Sequence, residues 1–244
     1  MIRIILCEGK TDAVLLSYYL SRTVGWEYNK ANKAFKIKLK NEENQYVGYY
    51  KKDEEELLIC GVGGKTNFAN FYRDYIEPYM MSGQNEDNSY RLAIVVDRDC
   101  DNDGDIERTL SDDLGECITE VKNGRWIENS FNDSFEQQAK VDVLCIIIPV
   151  SQQGALETLL MDALSEDGYR GNLISRSKCF VDNISDEAKE IIHSERLKMK
   201  TKLGVSLAVL YPEKVFSLID EQLKYIEWDK SETLNECFSE LIKI

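Results

Sequence analysis

Acidic side chains in this sequence stand where apolar runs stop. The run Ile4-Ile5-Leu6-Cys7 stops at Glu8, passes through Gly9, Lys10 and Thr11, and restarts as an amphipathic stretch carrying Asp12. Leu92-Ala93-Ile94-Val95-Val96 stops at Asp97, with Asp99 two places on. The run that ends in Pro149-Val150 leads into Gly154-Ala155-Leu156-Glu157. A carboxylate at the end of a buried strand is costly to desolvate and needs a partner: a backbone amide, a lysine or a metal ion. Two unit charges about 4 Å apart repel by roughly 4 kcal/mol at an effective dielectric near 20, so several carboxylates in one crevice call for positive charge. A divalent cation supplies it, and hard oxygen ligands suit Mg2+ or Mn2+. Glu8, Asp12, Asp97, Asp99 and Glu157 are therefore the candidate ligands.

Rival chemistries fit less well. Asp99-Cys100-Asp101-Asn102-Asp103-Gly104 resembles the opening of an EF-hand calcium loop, but Leu110 stands where the twelfth position needs a bidentate Glu, and a strand precedes the loop instead of a helix. A hydrophobic strand followed by D-x-D also resembles the haloacid-dehalogenase phosphatases, yet Asp101 occupies the place of their Thr or Val. Gly-Lys-Thr occurs at Gly9 to Thr11 and at Gly64 to Thr66, but the glycine a Walker loop needs five places earlier is Ile4 in one case and Ile59 in the other. Gly61, Gly63 and Gly64 let the chain turn tightly, either as a purely structural turn or with main-chain amides left free near an anion. With His193 the one histidine, a Ser-His-Asp triad or a histidine-rich metal site is not expected. The seven cysteines are scattered without a C-x-x-C pair, the pattern of reduced thiols and not of a disulfide framework or zinc site.

To converge, the acids must lie at the carboxyl ends of neighbouring strands, where open parallel sheets bind ligands. Apolar strands are predicted at 3–7, 56–60, 91–96 and 143–150, each followed by a helical pattern, at about 12–22, 67–79, 105–114 and 155–164. Four such units predict a parallel sheet covered by helices on both faces. If the third strand continues, Asp97 and Asp99 point the same way. Between the first helix and second strand, at about 34–52, Phe35, Ile37 and Leu39 alternate with Lys36, Lys38 and Lys40 before an Asn41-Glu42-Glu43-Asn44 turn. This reads as an inserted β-hairpin with one basic face, either an edge guarded by lysines or a phosphate-contacting arm. Beyond Ser165 helices are predicted at 186–200, 212–226 and 230–242, the last behind Asp229 as cap. The organisation expected is an α/β core, 1–165, with a helical extension, 166–244, packed on it as one structural unit.

With 244 residues the chain can bury a sizeable core. Its 30 basic against 44 acidic side chains give a net charge of −14, which argues against broad adhesion to nucleic acid or anionic membrane. A nucleic-acid enzyme remains open, because bound cations and one local basic face can reverse the field. The apolar run at about 141–150 is too short to span a bilayer and no signal-peptide pattern opens the sequence, so a soluble cytoplasmic protein without a membrane partner is expected.

The ordered set as a whole resembles a known family. Glu8-Gly9-Lys10-x-Asp12 after the first strand, a glycine after the second, Asp97-x-Asp99 after the third and an acid after the fourth are similar, over residues 1–165, to the Toprim domain of primases, topoisomerases, small-RNA-maturing ribonucleases and OLD-type nucleases. The resemblance implies a Rossmann-like, parallel four-stranded sheet flanked by helices, whose acidic cluster binds one or two Mg2+ or Mn2+ ions for phosphodiester chemistry on DNA or RNA. In detail it resembles the OLD branch: Glu8-x-x-x-Asp12, Asp97-x-Asp99 and Gly154-x-x-Glu157 match its three acidic motifs, with Gly154 where that branch often has Ser. That branch also brings a carboxy-terminal lysine to the metal; Lys198, Lys200 and Lys202 are available, and Lys200 is the one expected. No OLD ATPase domain, topoisomerase tyrosine domain or primase zinc module is recognised, so the chain looks more like a stand-alone Toprim-like family.

The resemblance implies that Glu8, Asp97 and Asp99 hold one ion while Asp12 and Glu157 help with a second, with Lys200 offsetting transition-state charge. Glu8 is alternatively a general acid or base. Lys10, Lys36, Lys38, Lys40 and Lys65 are the expected nucleic-acid contacts. Two other readings stand beside this one: a non-catalytic metal- or nucleotide-binding module working through a protein partner, and a small-substrate phosphatase or nucleotidyl transferase.

Overall fold

A computed structural model describes residues 1–30, 45–83 and 87–244. Among these, one sheet holds seven strands: β1 (Ile2–Cys7), β2 (Glu27–Tyr28), β3 (Tyr46–Lys52), β4 (Glu55–Gly61), β5 (Ser89–Asp97), β6 (Trp126–Asn132) and β7 (Gln138–Ile148), in the order β2-β3-β4-β1-β5-β7-β6. The central four, β4-β1-β5-β7, are parallel and are the strands predicted. The sheet is nevertheless larger than a four-stranded one, because antiparallel strands extend both edges.

Each addition has a local cause. β3 folds back on β4 through a turn with Asp53 at φ 52°, pairing Lys52 with Glu55 and Tyr46 with Gly61. It is thus a strand of the main sheet, with β2 antiparallel on its other side. The basic arm with Lys36, Lys38 and Lys40 lies outside the described residues. β6 has few aliphatic side chains; Asn129 and Phe131 turn inward while Glu128, Ser130 and Asn132 face out, which hides an edge strand from a search for apolar runs.

Alternation along the parallel strands divides the core in two. Ile5, Cys7, Ile59, Val95 and Ile146 face one side, and Ile4, Leu6, Cys60, Ile94 and Cys145 the other. The first side is covered by α1 (Lys10–Val24) and later helices. The second is covered by α2 (Phe68–Phe71), α3 (Glu77–Met81) and α4 (Asp103–Leu114). The helix expected at 67–79 is broken by a π-helical turn, Tyr72–Ile76, just before Pro78, which cannot donate a main-chain hydrogen bond.

After β7 come α5 (Leu156–Leu164), α6 (Gly168–Ser185), α7 (Glu195–Leu210), α8 (Ile219–Tyr225) and α9 (Glu232–Cys237). The helix expected at 186–200 is corrected: only 195–200 is helical, as the first part of α7. Residues 186–194 separate α6 from α7, and a new helix starts where Ser194 accepts from the Leu197 N–H at 3.3 Å. α6 was not expected at all; Asp167 caps it, accepting from Tyr169 N–H at 2.7 Å. The helix expected at 212–226 shortens to a 3-10 turn and α8. The last helix is capped by Ser231, which accepts from Leu234 N–H at 3.2 Å, and not by Asp229. Leu203, Leu207, Leu223, Trp228, Leu234 and Phe238 share one buried core with α1 and α5, so residues 166–244 pack onto one face of the sheet. Among the described residues no helix is long and apolar enough to cross a membrane.

Candidate functional site

The chain after β1 runs to one side of it, toward β4, and later crosses to the other side at β5. That reversal opens a crevice between the carboxyl ends of β1 and β5, the place where open sheets take ligands. A cleft of about 630 Å³ lies there. Glu8, Asp12, Asp97 and Glu157 line it on the sheet side, and Arg196, Lys200, Leu203 and Gly204 of α7 line it from across.

The main chain around Glu8 is fixed by the turn after β4. Val62 N–H donates to Cys7 O at 2.9 Å, and Gly63 and Gly64 N–H donate to Glu8 O at 2.9 and 2.7 Å. The amides considered as anion donors at the sequence level are therefore spent in holding the strand end. Gly61 packs so closely that a Cβ there would stand 2.7 Å from Gly9 C and O. Beyond β5, Arg98 donates to Pro149 O at 3.0 Å and to Val150 O at 2.9 Å, fastening the loop after β7 to β5.

Each buried acid has one oxygen held by a main-chain N–H. Asp97 N–H donates to Glu8 Oε1 at 3.0 Å, Leu156 N–H to Asp97 Oδ1 at 2.9 Å, and Gly9 N–H to Asp12 Oδ2 at 3.0 Å. Those bonds fix the rotamers, and the second oxygens of Glu8 and Asp97 are left without a hydrogen-bond donor among the described residues. Glu8, Asp12 and Asp97 are only 5%, 8% and 7% exposed. Burial raises the Glu8 carboxyl, with the Asp99 charge adding to it, while the Asp97 N–H, Lys65 and Arg196 pull it back. Burial and then Glu8 push Asp12 up to about 7. Burial, then Glu8, Asp12 and Glu157, push Asp97 up to about 9. The physical content is a set of desolvated carboxylates short of positive charge.

Asp99 stands apart from the lining. β5 ends at Asp97, so the alternation that would have aligned the two acids stops. Asp99 takes φ 52°, exchanges main-chain bonds of 2.7 and 3.0 Å with Gly154, and is exposed. Lys65 Nζ reaches Asp101 at 2.8 Å, Asp97 O at 3.2 Å and Asp99 at 3.4 Å, which makes it a brace for this loop. Lys10 lines the cleft but pairs with Asp220 of α8 at 2.8 Å. Of the three carboxy-terminal lysines, Lys198 and Lys202 pair with Asp182 at 2.8 and 2.9 Å, and Lys200 faces the cleft. Sequence reasoning missed Arg196; its signal was the spacing 196, 200, 203 along one face of a helix.

The donor set suits a hard divalent ion. Glu8 and Asp97 offer uncommitted carboxylate oxygens in a desolvated pocket, with Asp12 and Glu157 beside them. Among the described residues no three acidic, histidine or cysteine side chains stand gathered as a finished cage. The fit is therefore one of donor chemistry, and holding an ion would require the carboxylates to draw together.

Known proteins bear on the whole of this unit. A family model described as "Protein of unknown function (DUF3226)" matches residues 2–242. The chain belongs to the DUF3226 family. Among solved structures, this DUF3226 chain is similar to the crystal structure of hypothetical protein PH0156 from Pyrococcus horikoshii OT3, with a TM-score of 0.54 and 14% identity over 99% of this chain and 98% of that one. At that identity the likeness speaks for a shared fold, which extends through the carboxy-terminal helices that carry Arg196 and Lys200 in this DUF3226 member. No curated protein matches it.

Proposed function

We propose that this protein is a Mg2+- or Mn2+-dependent enzyme of phosphodiester chemistry on DNA or RNA, using a Toprim-type acidic site of the OLD kind. One observation carries the reading: four acids from the ends of β1 and β5 and the starts of α1 and α5 meet Arg196 and Lys200 in one cleft. Glu8, Asp12 and Asp97 are the residues to hold an ion, with Glu157 available to a second and Asp99 at the rim. A divalent ion held there would supply a Lewis acid for activating water and stabilising charge on phosphoryl oxygens. Arg196 and Lys200 add cationic charge opposite the acids, where charge builds on the phosphoryl group in the transition state. Gly154 suits its place because φ 138° and a collision of any Cβ with Thr158 disfavour the Ser of the resembled pattern. Buried free thiols such as Cys7, Cys60 and Cys145 suit a reducing compartment, the cytoplasm.

The test is Mn2+ titration by calorimetry followed by incubation with supercoiled plasmid, single-stranded DNA and RNA, wild type against Asp97→Asn. Binding and cleavage that both disappear in the variant support the reading; cleavage that persists in the variant overturns it. A second reading, a metal- or nucleotide-binding module that works through a protein partner, draws on Lys10 and Lys65 being spent on Asp220 and Asp101 instead of facing a nucleic acid. Mn2+ binding with no turnover of any nucleic acid favours it.

A further inference from the structure

Gly204 lies inside α7, one turn beyond Lys200 on the cleft face. Among residues other than proline, glycine is the least favourable in a helix interior. Among the described residues nothing requires it: its φ is not in the left-handed range and a Cβ would meet no atom within 4 Å. Gly64, across the cleft, also has no atom within 4 Å of a Cβ position. Leu160, Leu203 and Ile219 line the same cleft, giving it apolar side chains beside its acids and cations. A volume of about 630 Å³ falls within the roughly 300–1,000 Å³ of small-ligand sites. α7 and the start of α8 form its far wall, and the Lys10–Asp220 ion pair ties α8 to α1.

Resting on the metal-dependent reading above, we propose that the cleft takes one nucleoside phosphate unit, free or at the end of a strand, and not the interior of a duplex. The phosphate lies between the acids and Arg196 and Lys200, and the sugar and base occupy the open space over Gly204 beside Leu203 and Ile219. Gly204 is then a specificity-determining residue that keeps room for the nucleoside.

The experiment is calorimetry in the presence of Mn2+ with thymidine 5′-monophosphate, linear oligo(dT) and covalently closed relaxed plasmid. Wild type is expected to bind the first two at least tenfold more tightly than the plasmid. Tighter binding of the oligonucleotide identifies a strand end, and equal binding a free nucleotide. Gly204→Leu is expected to weaken nucleotide binding tenfold or more with Mn2+ affinity unchanged. Gly204→Ala, which adds one methyl, is expected to raise Tm while weakening nucleotide binding severalfold, and serves if the leucine variant misfolds. Plasmid binding as tight as that of the nucleotide, or nucleotide affinity unchanged in both variants, overturns the proposal and leaves the metal reading standing. Failure of wild type to bind Mn2+ overturns both.

Discussion

The main-chain N–H of Asp97 donates to the Glu8 carboxylate at 3.0 Å, so the end of β5 holds in place the acid at the end of β1. This bond needs only a carbonyl-type oxygen at Oε1. Glu8→Gln keeps that acceptor and removes the charge, so the variant is expected to fold with nearly unchanged Tm. Its Mn2+ affinity should fall by at least about 100-fold, beyond the loss typical of residues that merely support ligands. Calorimetry and thermal melting on one sample check both; unaltered Mn2+ affinity removes Glu8 from the ligand set.

Metal-free stability should decline with rising pH, against the habit of acidic proteins. Asp97 moves from an ordinary 3.8 to about 9 on folding, and Asp12 from 3.8 to about 7. A group raised on folding stabilises fully below its unfolded value and loses that contribution as pH climbs through its folded value. Tm in chelator is therefore expected to fall between roughly pH 4 and pH 9, with Asp97→Asn removing much of the fall. Because the ligands must lose protons to bind metal, Mn2+ should raise Tm more at the alkaline end and release protons in calorimetry. A flat Tm profile in chelator would contradict the electrostatics described for this cleft.

Gly61→Ala places a methyl 2.7 Å from the Gly9 main chain, where neither partner can swing away. Overpacking of this kind costs about 1–3 kcal/mol, and here it also pushes on the turn that carries Glu8. Denaturant melts should show the loss together with weakened Mn2+ binding. Wild-type stability in Gly61→Ala would mean that the β1 and β4 turns have more slack than their hydrogen bonds imply.

Arg196 and Lys200 should separate from Lys198 and Lys202 by function. Arg196→Ala and Lys200→Ala are expected to reduce cleavage by about 10²-fold or more with little change in Tm. Lys198→Ala and Lys202→Ala lose solvent-screened pairs with Asp182 that contribute little to stability and should leave the rate alone. Rates for the four variants, measured at equal Mn2+ occupancy, decide it.

Most of the parallel sheet was legible because strands buried on both faces are nearly continuous in Ile, Leu and Val, as in β1, β5 and β7. The acids were legible for the same reason: a charge stands out where such a run ends. β6 was not, since its inward residues are Asn129 and Phe131 between exposed polar ones. α6 was missed because Gly168 and Gly171 weaken its pattern, although a Cβ on Gly171 would stand 2.9 Å from Ser165 O. Asp99 shows the limit of counting by twos: the rule held only while β5 lasted, and a left-handed residue with main-chain bonds to Gly154 carried the next acid outward. Arg196 was invisible until the start of α7 was fixed by the Ser194 cap.

The two walls of the cleft come from segments far apart in the sequence. Glu8 and Asp12 precede Arg196 and Lys200 by most of the sequence, so they leave the ribosome well before them. Amino-terminal segments tend to organise first during synthesis, so the nascent chain carries a bare acidic half-site until α7 emerges and docks. A chain cut short before α7 therefore lacks the cationic wall of the cleft and keeps only its acidic one.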